Sequence, residues 1–266
     1  MQFRVRRVDE TGSTNADVLA AAATGEPEGV VIVAGTQTAG RGRLGRTWQS
    51  PPDGGLWCTT LLRPEGVPMA RIGWLPLLAG VALAETVRAV TGLDAGLKWP
   101  NDLLVRDAKC AGILAEADGN GAVALGVGLN TNLRPEELPP TPTGIPATSL
   151  AHERNAAGPV GNHERNAAGP VDNAEILDGF LTRLGERYDS WRAASGDAGA
   201  SGLLSAYTGM CVTIGREVRV ILPGGAERRG LATTVDGDGR LVVAGTPVAA
   251  GDVVHVRPMA RLDGTV

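Results

Sequence analysis

Three arginines, Arg41, Arg43 and Arg46, fall within six residues of a glycine-rich segment, 35–46, in a chain whose net charge is −4. The segment follows an apolar, mostly β-branched run, 30–34, that predicts a buried strand. Guanidinium groups bind carboxylate or phosphate oxygens in pairs, and glycines let backbone N–H groups approach an anion closely. A solvated basic turn is the alternative, but it would not need so many glycines. The pattern therefore predicts an anion-binding loop.

The same segment also contains a nucleotide-binding fingerprint, because 40–45 fits G-x-G-x-x-G and Glu65 lies about twenty residues further on. In a dinucleotide-binding fold this pattern must open a helix whose N-terminus faces the pyrophosphate. Here it is followed by Pro51 and Pro52, which exclude a helix over 47–55. We therefore reject the dinucleotide-binding interpretation of this motif, and the sequence contains no P-loop motif. An NAD-dependent oxidoreductase stays a competing function, although no hydride-transfer constellation supports it.

A second candidate site combines Lys-Trp-Pro-Asn-Asp at 98–102 with Lys109. Only two of the 25 basic residues are lysines, and both fall here. An ammonium group is a compact charge whose pKa shifts readily, whereas a guanidinium group is a planar fork that stays charged. A hairpin between the two segments would bring Lys109 near Asp102. The alternative is chance, with a surface ion pair that contributes at most about 1 kcal/mol.

Two further segments could shape a pocket. The glycines of 126–130, inside a strand, would let a flat ligand approach the backbone, although a β-bulge is the alternative. The polar residues 13–15 precede a helix, where hydroxyl and N–H groups can bind a polar or anionic ligand. Ordinary capping also explains them, with Ser13 or Thr14 as the N-cap and Asp17 completing a capping box.

The elements that would position these residues follow from hydrophobic periodicity. Strands are predicted at 5–8, 30–34, 56–62, 97–99, 103–105, 111–117 and 122–129. Helices are predicted at 18–23, 70–90 and 174–194. Short strands between glycine turns, at 211–214, 218–222, 230–235, 241–243 and 253–256, indicate a small all-β barrel. The prediction is an α+β fold with one domain over 1–208 and a barrel over 209–266.

Composition and charge exclude several classes of protein. The 38 glycines and 17 prolines follow no three-residue period, which excludes collagen. The charge-free stretch 72–84 is too short to cross a bilayer, and no secretory leader opens the chain. The negative net charge argues against a nucleic-acid-binding surface. Cys58, Cys110 and Cys211 lack metal-ligand spacing, so we expect reduced thiols, a cytoplasmic location and no protein-bound metal.

An internal repeat occupies 152–173, because the sequence of 152–162 recurs at 163–173 with one difference. Two copies of a short polar unit cannot bury a core, so the repeat does not indicate a solenoid. We interpret it as a tandem duplication inside a mobile surface loop.

Five motifs together resemble those of biotin–protein ligases. They are Gly-Ser-Thr-Asn at 12–15, Gln37 with Gly-Arg-Gly-Arg-Leu-Gly-Arg-Thr-Trp at 40–48, Lys-Trp-Pro-Asn-Asp at 98–102, Lys-Cys-Ala-Gly-Ile-Leu at 109–114, and Gly-Val-Gly-Leu-Asn at 126–130. The resemblance covers 11–130 closely and reaches the barrel only at the level of fold. It implies a mixed β-sheet with helices packed on one side, followed by an SH3-like barrel. It also implies that biotin and ATP form biotinyl-adenylate, from which biotin passes to a lysine.

The resemblance also implies roles for individual residues. Biotin would be bound by Ser13, Thr14, Asn15, Gln37, Gly40, Arg41, Gly42, Arg43, Lys109 and Gly112. ATP or the adenylate would be bound by Arg43, Arg46, Trp48, Lys98, Asn101 and Asn130, with Trp48 stacked on adenine and Mg²⁺ accompanying the triphosphate. The catalytic residues would be Lys109, which bridges the biotin carboxylate and the α-phosphate, Arg43, and Asp102, which orients or deprotonates the incoming amine.

The implied acceptor is the biotin carboxyl carrier domain of acetyl-CoA carboxylase or a related acyl-CoA carboxylase. No helix-turn-helix precedes Val5, so we expect a monofunctional enzyme without operator binding, and a homodimer is left open. A lipoate or octanoate ligase of the same fold is the nearest alternative, although the arginine segment (residues 35–46) and residues 98–102 favour biotin. A non-enzymatic binding module is the alternative from another class.

Overall fold

A mixed seven-stranded sheet forms the larger part of the molecule. The computed structural model describes residues 1–141, 144–157 and 169–256. The strands of this sheet are β1 (Arg4–Thr11), β2 (Val30–Gln37), β3 (Gly55–Leu62), β4 (Ala95–Lys98), β5 (Asp102–Val105), β6 (Ala108–Ala117) and β7 (Val123–Asn130). Their order is β1-β2-β3-β7-β6-β5-β4, with β1 parallel to β2 and the other pairs antiparallel. The predicted mixed sheet is therefore confirmed.

Helices cover both faces of this sheet. The described helices are α1 (Thr14–Ala23), α2 (Leu75–Thr91), α3 (Leu150–Ala157), α4 (Asn173–Ala193) and α5 (Leu203–Met210). The long helices α2 and α4 pack together over one face, as expected. The short α1 lies against the other face, because Val30 and Ile32 of β2 cluster with Val18, whereas Val31 and Val33 join the core under α2. The expected one-sided arrangement thus describes α2 and α4 but not α1.

The helix α2 is the central core helix. The segment Met69–Thr91 is long and apolar enough to cross a membrane by composition, yet 67% of its most apolar window is buried inside the protein. The predicted helix at 70–90 starts as a 3₁₀ turn, and α2 proper begins with Pro76 in its first turn, where the missing N–H costs nothing. It ends at Gly92, whose φ of +71° suits glycine.

A small antiparallel sheet follows, which confirms the predicted SH3-like barrel. Its strands are β8 (Glu217–Ile221), β9 (Glu227–Val235), β10 (Leu241–Val243), β11 (Thr246–Val248) and β12 (Asp252–His255), in the order β11-β10-β9-β8-β12. The strand predicted at 211–214 is wrong. Val212 N–H donates to the Leu97 carbonyl at 2.8 Å, and the chain then turns away instead of extending the sheet. The helix α5 and the strand β11 were not predicted.

Two buried tryptophans fix the barrel against the large sheet. Trp74 Nε1 donates to the Gly237 carbonyl at 2.8 Å, and Trp99 Nε1 donates to the Gly239 carbonyl at 3.1 Å. One continuous apolar cluster includes residues from α2, the large sheet and the barrel strands. The barrel therefore packs as a wall of the same core, and a domain division at 208/209 stays a prediction.

The first copy of the internal repeat is partly helical. Residues 152–157 belong to α3, and the buried Glu153 carboxylate accepts a hydrogen bond from the Thr148 hydroxyl at 2.6 Å. The interpretation as a loop is therefore wrong for 152–157. Residues 158–168 lie outside the described residues, so the mobility of the duplicated segment stays a prediction.

Protonation of His255 should destabilise the fold in mild acid. Burial, with the charges of Lys98 and Arg216, lowers the pKa of His255 from 6.5 to about 4, and its Nε2 lies 3.2 Å from Thr213 Oγ1. In the unfolded chain His255 binds a proton below about pH 6.5, whereas in the folded chain it binds a proton only below about pH 4. Stability from this group is therefore complete above pH 6.5 and lost as pH falls towards about 4.

Urea unfolding across this pH range, with wild type and His255→Gln side by side, checks this expectation. The free energy of unfolding of the variant should depend less steeply on pH, because the variant has no imidazole to protonate at this position. Parallel curves for the two proteins would show that His255 makes no contribution to acid sensitivity.

Candidate functional site

One cavity brings together the residues that the sequence analysis selected. It has a volume of about 360 Å³ and lies between the start of α1, the arginine segment, β5 to β7 and β12 of the barrel. The predicted site residues that line it are Ser13, Thr14, Asn15, Gln37, Arg41, Gly42, Arg43, Arg46, Trp48, Lys98, Asn101, Asp102, Lys109, Gly112 and Asn130. Gly40 lies next to this lining, where a Cβ atom would overlap the Trp48 carbonyl.

The hydroxyl groups at the start of α1 are not used as helix caps. Ser13 is the N-cap residue, but its side chain makes no capping hydrogen bond. Asp17 instead accepts a hydrogen bond from the Thr11 hydroxyl at 2.6 Å, so the predicted capping box is wrong. The Thr14 N–H donates to Gln37 Oε1 at 2.9 Å, so a side chain from β2 satisfies the helix start. The Ser13 hydroxyl therefore lines the cavity without a capping role.

A hydrogen-bonded chain leads from the cavity into the sheet. Thr14 Oγ1 lies 2.7 Å from Thr59 Oγ1, and the Thr59 hydroxyl donates to Asn15 Oδ1 at 2.7 Å. Asn15 Nδ2 in turn donates to Glu116 Oε2 at 2.7 Å. A Cβ atom on Gly126 would overlap Asn15 Oδ1, so this position of β7 requires glycine for a packing reason. These contacts fix the polar end of the cavity.

The arginine segment is held down by the barrel and by Asn101, in the turn before β5. Arg43 Nη1 donates to Asn101 Oδ1 at 3.2 Å and to the Gly251 carbonyl at 3.4 Å. Arg46 Nη2 contacts both carboxylate oxygens of Asp252, at 2.6 and 2.5 Å. Burial lowers the pKa of Arg43, and the neighbouring carboxylates oppose that shift. Two cations are thus fixed over the cavity before any ligand arrives.

Asp102 lies between the two lysines of the chain. Lys109 Nζ is 2.6 Å from Asp102 Oδ1, and Lys98 Nζ is 3.7 Å from Oδ2. The predicted approach of Lys109 to Asp102 across the hairpin is therefore confirmed. The Lys98 side chain is only 2% exposed, and this burial lowers its pKa, while the attraction of Asp102 acts in the opposite direction. An anion entering the cavity meets two ammonium groups whose positions one carboxylate sets.

The indole ring of Trp48 covers the glycine floor of the cavity. A Cβ atom on Gly128 would lie 2.6 Å from this ring, and one on Gly112 would lie 2.9 Å from it. The ring also faces Lys109, whose Nζ is 5.5 Å from the ring centroid. Trp48 Nε1 is buried and has no hydrogen-bond partner in the described ranges. The flat group that approaches these glycines is therefore the chain's own tryptophan.

Two asparagines connect the cavity to the surrounding backbone. Asn101 Nδ2 donates to the Ile113 carbonyl at 2.9 Å, which fixes the end of the 98–102 segment against β6. Asn130 Nδ2 donates to the Thr148 carbonyl at 3.0 Å. Both amides therefore have structural partners in addition to their place in the cavity wall.

Three polar residues of the site were missed by the sequence analysis. Thr59 and Glu116 belong to the chain that starts at Thr14, and Asp252 binds the arginine segment. Glu116 Oε1 also lies 3.7 Å from Arg41 Nη1. Each is a polar residue in or beside an apolar strand. The break in the apolar pattern was the signal available in the sequence.

Two family profiles match the chain. The profile of the Biotin/lipoate A/B protein ligase family matches residues 8–132, a range that contains every predicted site residue. The profile of the Biotin protein ligase C terminal domain matches residues 213–256, which include Asp252.

Similar proteins match over most of the chain. The biotin–[acetyl-CoA-carboxylase] ligase of Mycobacterium tuberculosis is 42% identical over 258 residues, covering 94% of this chain and 88% of that protein. The ligase of the same name from Paracoccus denitrificans is 32% identical, covering 88% of this chain and 92% of the relative. A solved structure, the biotin protein ligase from Aquifex aeolicus in complex with biotin and ATP, matches with a TM-score of 0.74 and 25% identity, covering 96% of this chain and 99% of that one.

Proposed function

This chain belongs to the biotin–protein ligases, and we propose that it activates biotin with ATP as biotinyl-5′-adenylate. It then transfers biotin to the ε-amine of one lysine on the biotin carboxyl carrier domain of acetyl-CoA carboxylase or a related acyl-CoA carboxylase. The observation that carries this proposal is the composition of the cavity. Hydroxyl and amide groups line one end, beside Arg41, and the cations Arg43, Arg46, Lys98 and Lys109 line the rest.

That composition matches a ligand with a neutral polar ring system and a carboxylate tail. The proposed biotin-binding residues are Ser13, Thr14, Asn15, Gln37, Gly40, Arg41, Gly42, Arg43, Lys109 and Gly112. The hydroxyl and amide groups among them suit the ureido ring, which carries two N–H donors and one carbonyl acceptor. The glycine floor suits the rest of the bicycle once the Trp48 ring has left it. A lipoyl or octanoyl chain has no such donors and acceptors, so the same network favours biotin.

In the first step the biotin carboxylate oxygen attacks the α-phosphorus of ATP. A new P–O bond forms, the bond between the α- and β-phosphates breaks, and pyrophosphate leaves. Two anions must meet, and negative charge develops on the α-phosphate oxygens. Lys109 bridges the carboxylate and the α-phosphate, while Arg43, Arg46 and Lys98 hold phosphate oxygens. Cations held in advance stabilise that charge without reorganising during the reaction.

In the second step the acceptor amine attacks the acyl carbon of the mixed anhydride. The amide bond forms, the acyl–phosphate bond breaks, AMP leaves, and the nitrogen loses a proton. Asp102 is the proposed group that orients the amine and accepts this proton. Both of its oxygens already contact ammonium groups. Proton acceptance therefore requires Lys109 to remain with the phosphate after the first step.

The adenine would lie beside Trp48 and Asn130, with Asn101 near the phosphates. Stacking of Trp48 on adenine requires the indole ring to leave its present position, because the ring fills the space over Gly112 and Gly128. The contact between Arg46 and Asp252 gives a reason for such movement. Phosphate oxygens that bind Arg46 would replace the Asp252 carboxylate and release the loop from the barrel.

Magnesium would arrive with the triphosphate. No group of three or more His, Cys, Asp or Glu residues suited to a metal ion exists within the described ranges. The two carboxylates in the cavity wall, Asp102 and Asp252, are engaged with cations. The donor set therefore fits a Mg²⁺ held mainly by phosphate oxygens, where it would screen the charge of the leaving pyrophosphate.

The remaining proposals concern the setting of the enzyme. Three free, buried cysteines support a cytoplasmic location, and the net charge of −4 supports the absence of nucleic-acid binding. The outer edge of β1 is a site at which two chains could pair as a homodimer, because β1 ends the sheet and is largely exposed.

Biotin-dependent exchange of radiolabelled pyrophosphate into ATP tests the proposed activation step. We expect exchange with biotin and none with lipoate or octanoate, because those acids have no ureido group to bind the hydroxyl and amide groups of the cavity. Added carrier domain should then become labelled with biotin at one lysine, which intact-protein mass spectrometry detects. A folded protein that exchanges with lipoate, or with no acid at all, would contradict the proposal.

A further inference from the structure

Glu116 lies behind the biotin end of the cavity and outside its lining. It stands on β6, and its side chain is 29% exposed. Oε2 accepts a hydrogen bond from Asn15 Nδ2 at 2.7 Å, and Oε1 lies 3.7 Å from Arg41 Nη1. Two proposed biotin-binding residues, one on α1 and one in the arginine segment, therefore share one carboxylate that does not reach the ligand itself.

An ionised carboxylate determines which way the Asn15 amide points. A carboxylate accepts hydrogen bonds and cannot donate them, whereas an amide donates through nitrogen and accepts through oxygen. With Glu116 at one side, the Asn15 nitrogen must face the carboxylate. The Asn15 oxygen is then turned to the other side, where the Thr59 hydroxyl donates to it at 2.7 Å.

This direction continues to the cavity wall. The Thr59 hydroxyl has one proton, which it gives to Asn15 Oδ1, so Thr59 Oγ1 can only accept from Thr14 Oγ1 at 2.7 Å. The Thr14 hydroxyl can otherwise turn its proton to Gln37 Oε1 at 3.1 Å. In both positions the proton points into the protein. Thr14 then presents lone pairs, not a proton, to the cavity.

We propose that Glu116 is a positioning residue that sets the direction of the hydrogen bonds from Asn15 through Thr59 to Thr14, so that Thr14 accepts from a ureido N–H of biotin. This inference rests on the proposed function. It assigns to Glu116 the discrimination between a ring N–H and a ring atom without a proton. It also explains why a charged residue stands at the end of a glycine-containing strand beside a neutral ligand site.

Glu116→Gln tests the proposal at nearly constant size. The new amide can point either its oxygen or its nitrogen at Asn15. The original direction then loses its charged acceptor and keeps the longer hydrogen bond from Asn15 Nδ2 to the Leu114 carbonyl at 3.4 Å, so the reverse direction becomes available. Titration calorimetry without ATP should show an approximately tenfold weaker affinity for biotin, as expected when a hydrogen bond to a charged group is replaced. In pyrophosphate exchange the KM for biotin should rise by about the same factor, while kcat at saturating biotin changes little.

A ligand analogue makes the test specific for direction. In a cyclic carbamate analogue of biotin, one ureido nitrogen is replaced by oxygen, which cannot donate. The wild type should reject the analogue that carries oxygen opposite Thr14. Glu116→Gln should reject it less, because the Thr14 hydroxyl can turn its proton towards the ligand. Equal discrimination by the two proteins would overturn the proposal.

Two controls distinguish the positioning role of Glu116 from a general effect of removing a negative charge or of disturbing the fold. Glu26→Gln removes a carboxylate of similar exposure, 30%, that pairs with Arg6 on the surface, and it should bind biotin as the wild type does. Thr59→Val breaks the same chain at its centre, so the double variant with Glu116→Gln should bind about as weakly as the weaker single variant. Additive losses would overturn the proposal.

The measurements of biotin affinity test the role of Glu116 independently of the proposed catalytic activity. If the wild type binds biotin but exchanges no pyrophosphate, the proposed activation step fails, while the comparison of biotin affinities still decides the role of Glu116. Unchanged affinity in a folded Glu116→Gln variant would refute that role even where exchange is normal.

Discussion

Replacing Lys109 with alanine should lower biotin-dependent pyrophosphate exchange by about 10²–10³-fold. The Lys109 ammonium is held by Asp102 at 2.6 Å and faces the Trp48 ring, and its side chain is 18% exposed. In such a partly desolvated cavity, a fixed positive charge interacts strongly with the charge that develops on the α-phosphate. Exchange at saturating biotin and ATP, compared between wild type and Lys109→Ala, measures the effect on the chemical step.

Two further variants sharpen the Lys109 measurement. Lys109→Arg keeps the charge but replaces a compact ammonium with a larger planar group, so we expect little recovery of exchange. Arg229→Ala removes an exposed cation on the barrel, with 70% of its side chain accessible, and should exchange normally. Near-wild-type exchange by Lys109→Ala would show that Arg43, Arg46 and Lys98 stabilise the α-phosphate without Lys109.

Much of the site was predictable because its residues lie in short contiguous motifs. The two lysines stood out against a chain rich in arginine, and the structure places both on one carboxylate. The glycines of 126–130 indicated a close approach, which the Trp48 ring and the Asn15 amide make. Short motifs of this kind show where the backbone must be approached closely or where a charge is required. Several such positions line one cavity here.

Contacts between distant strands were not predictable in the same way. Asn15 and Glu116 are 101 positions apart, and Arg46 and Asp252 are 206 positions apart. Each pair exists only because the sheet order places β7 between β3 and β6, or because the barrel folds back over the loop. A single polar residue in an apolar strand forms no repeating pattern, so the sequence does not show which distant residue it contacts.

The errors in secondary structure have a similar physical origin. The residues of 211–214 have strand composition, but only one backbone bond to Leu97 is available before the turn at Gly215. The helix α5 has eight residues, which is too short to be stable alone, and it is fixed by burying Leu203 and Tyr207. Ser13 is the N-cap residue of α1, as predicted, but the capping box was wrong because Gln37, from β2, satisfies the helix start. Tertiary contacts decided all three cases.

Asp102→Asn should lower the free energy of unfolding by about 3–5 kcal/mol, because it leaves buried ammonium groups without their carboxylate. Lys98 is 2% exposed, and burial already lowers its pKa against the attraction of Asp102. The unfolded chain binds this proton up to its ordinary pKa of 10.5, and the folded variant releases it earlier. The variant should therefore regain stability as pH rises towards 10.5, which urea unfolding at several pH values measures.

A second substitution tests whether the loss comes from the unpaired charge. Lys98→Met in the Asp102→Asn background replaces the buried ammonium with an apolar side chain of similar length, so much of the lost stability should return. Activity should not return, because the double variant still lacks the carboxylate that holds Lys109. If Asp102→Asn is as stable as the wild type, the charge balance around Asp102 is not what stabilises the hairpin of β5 and β6. If the double variant recovers both stability and exchange, the activation step does not require Asp102 to hold Lys109.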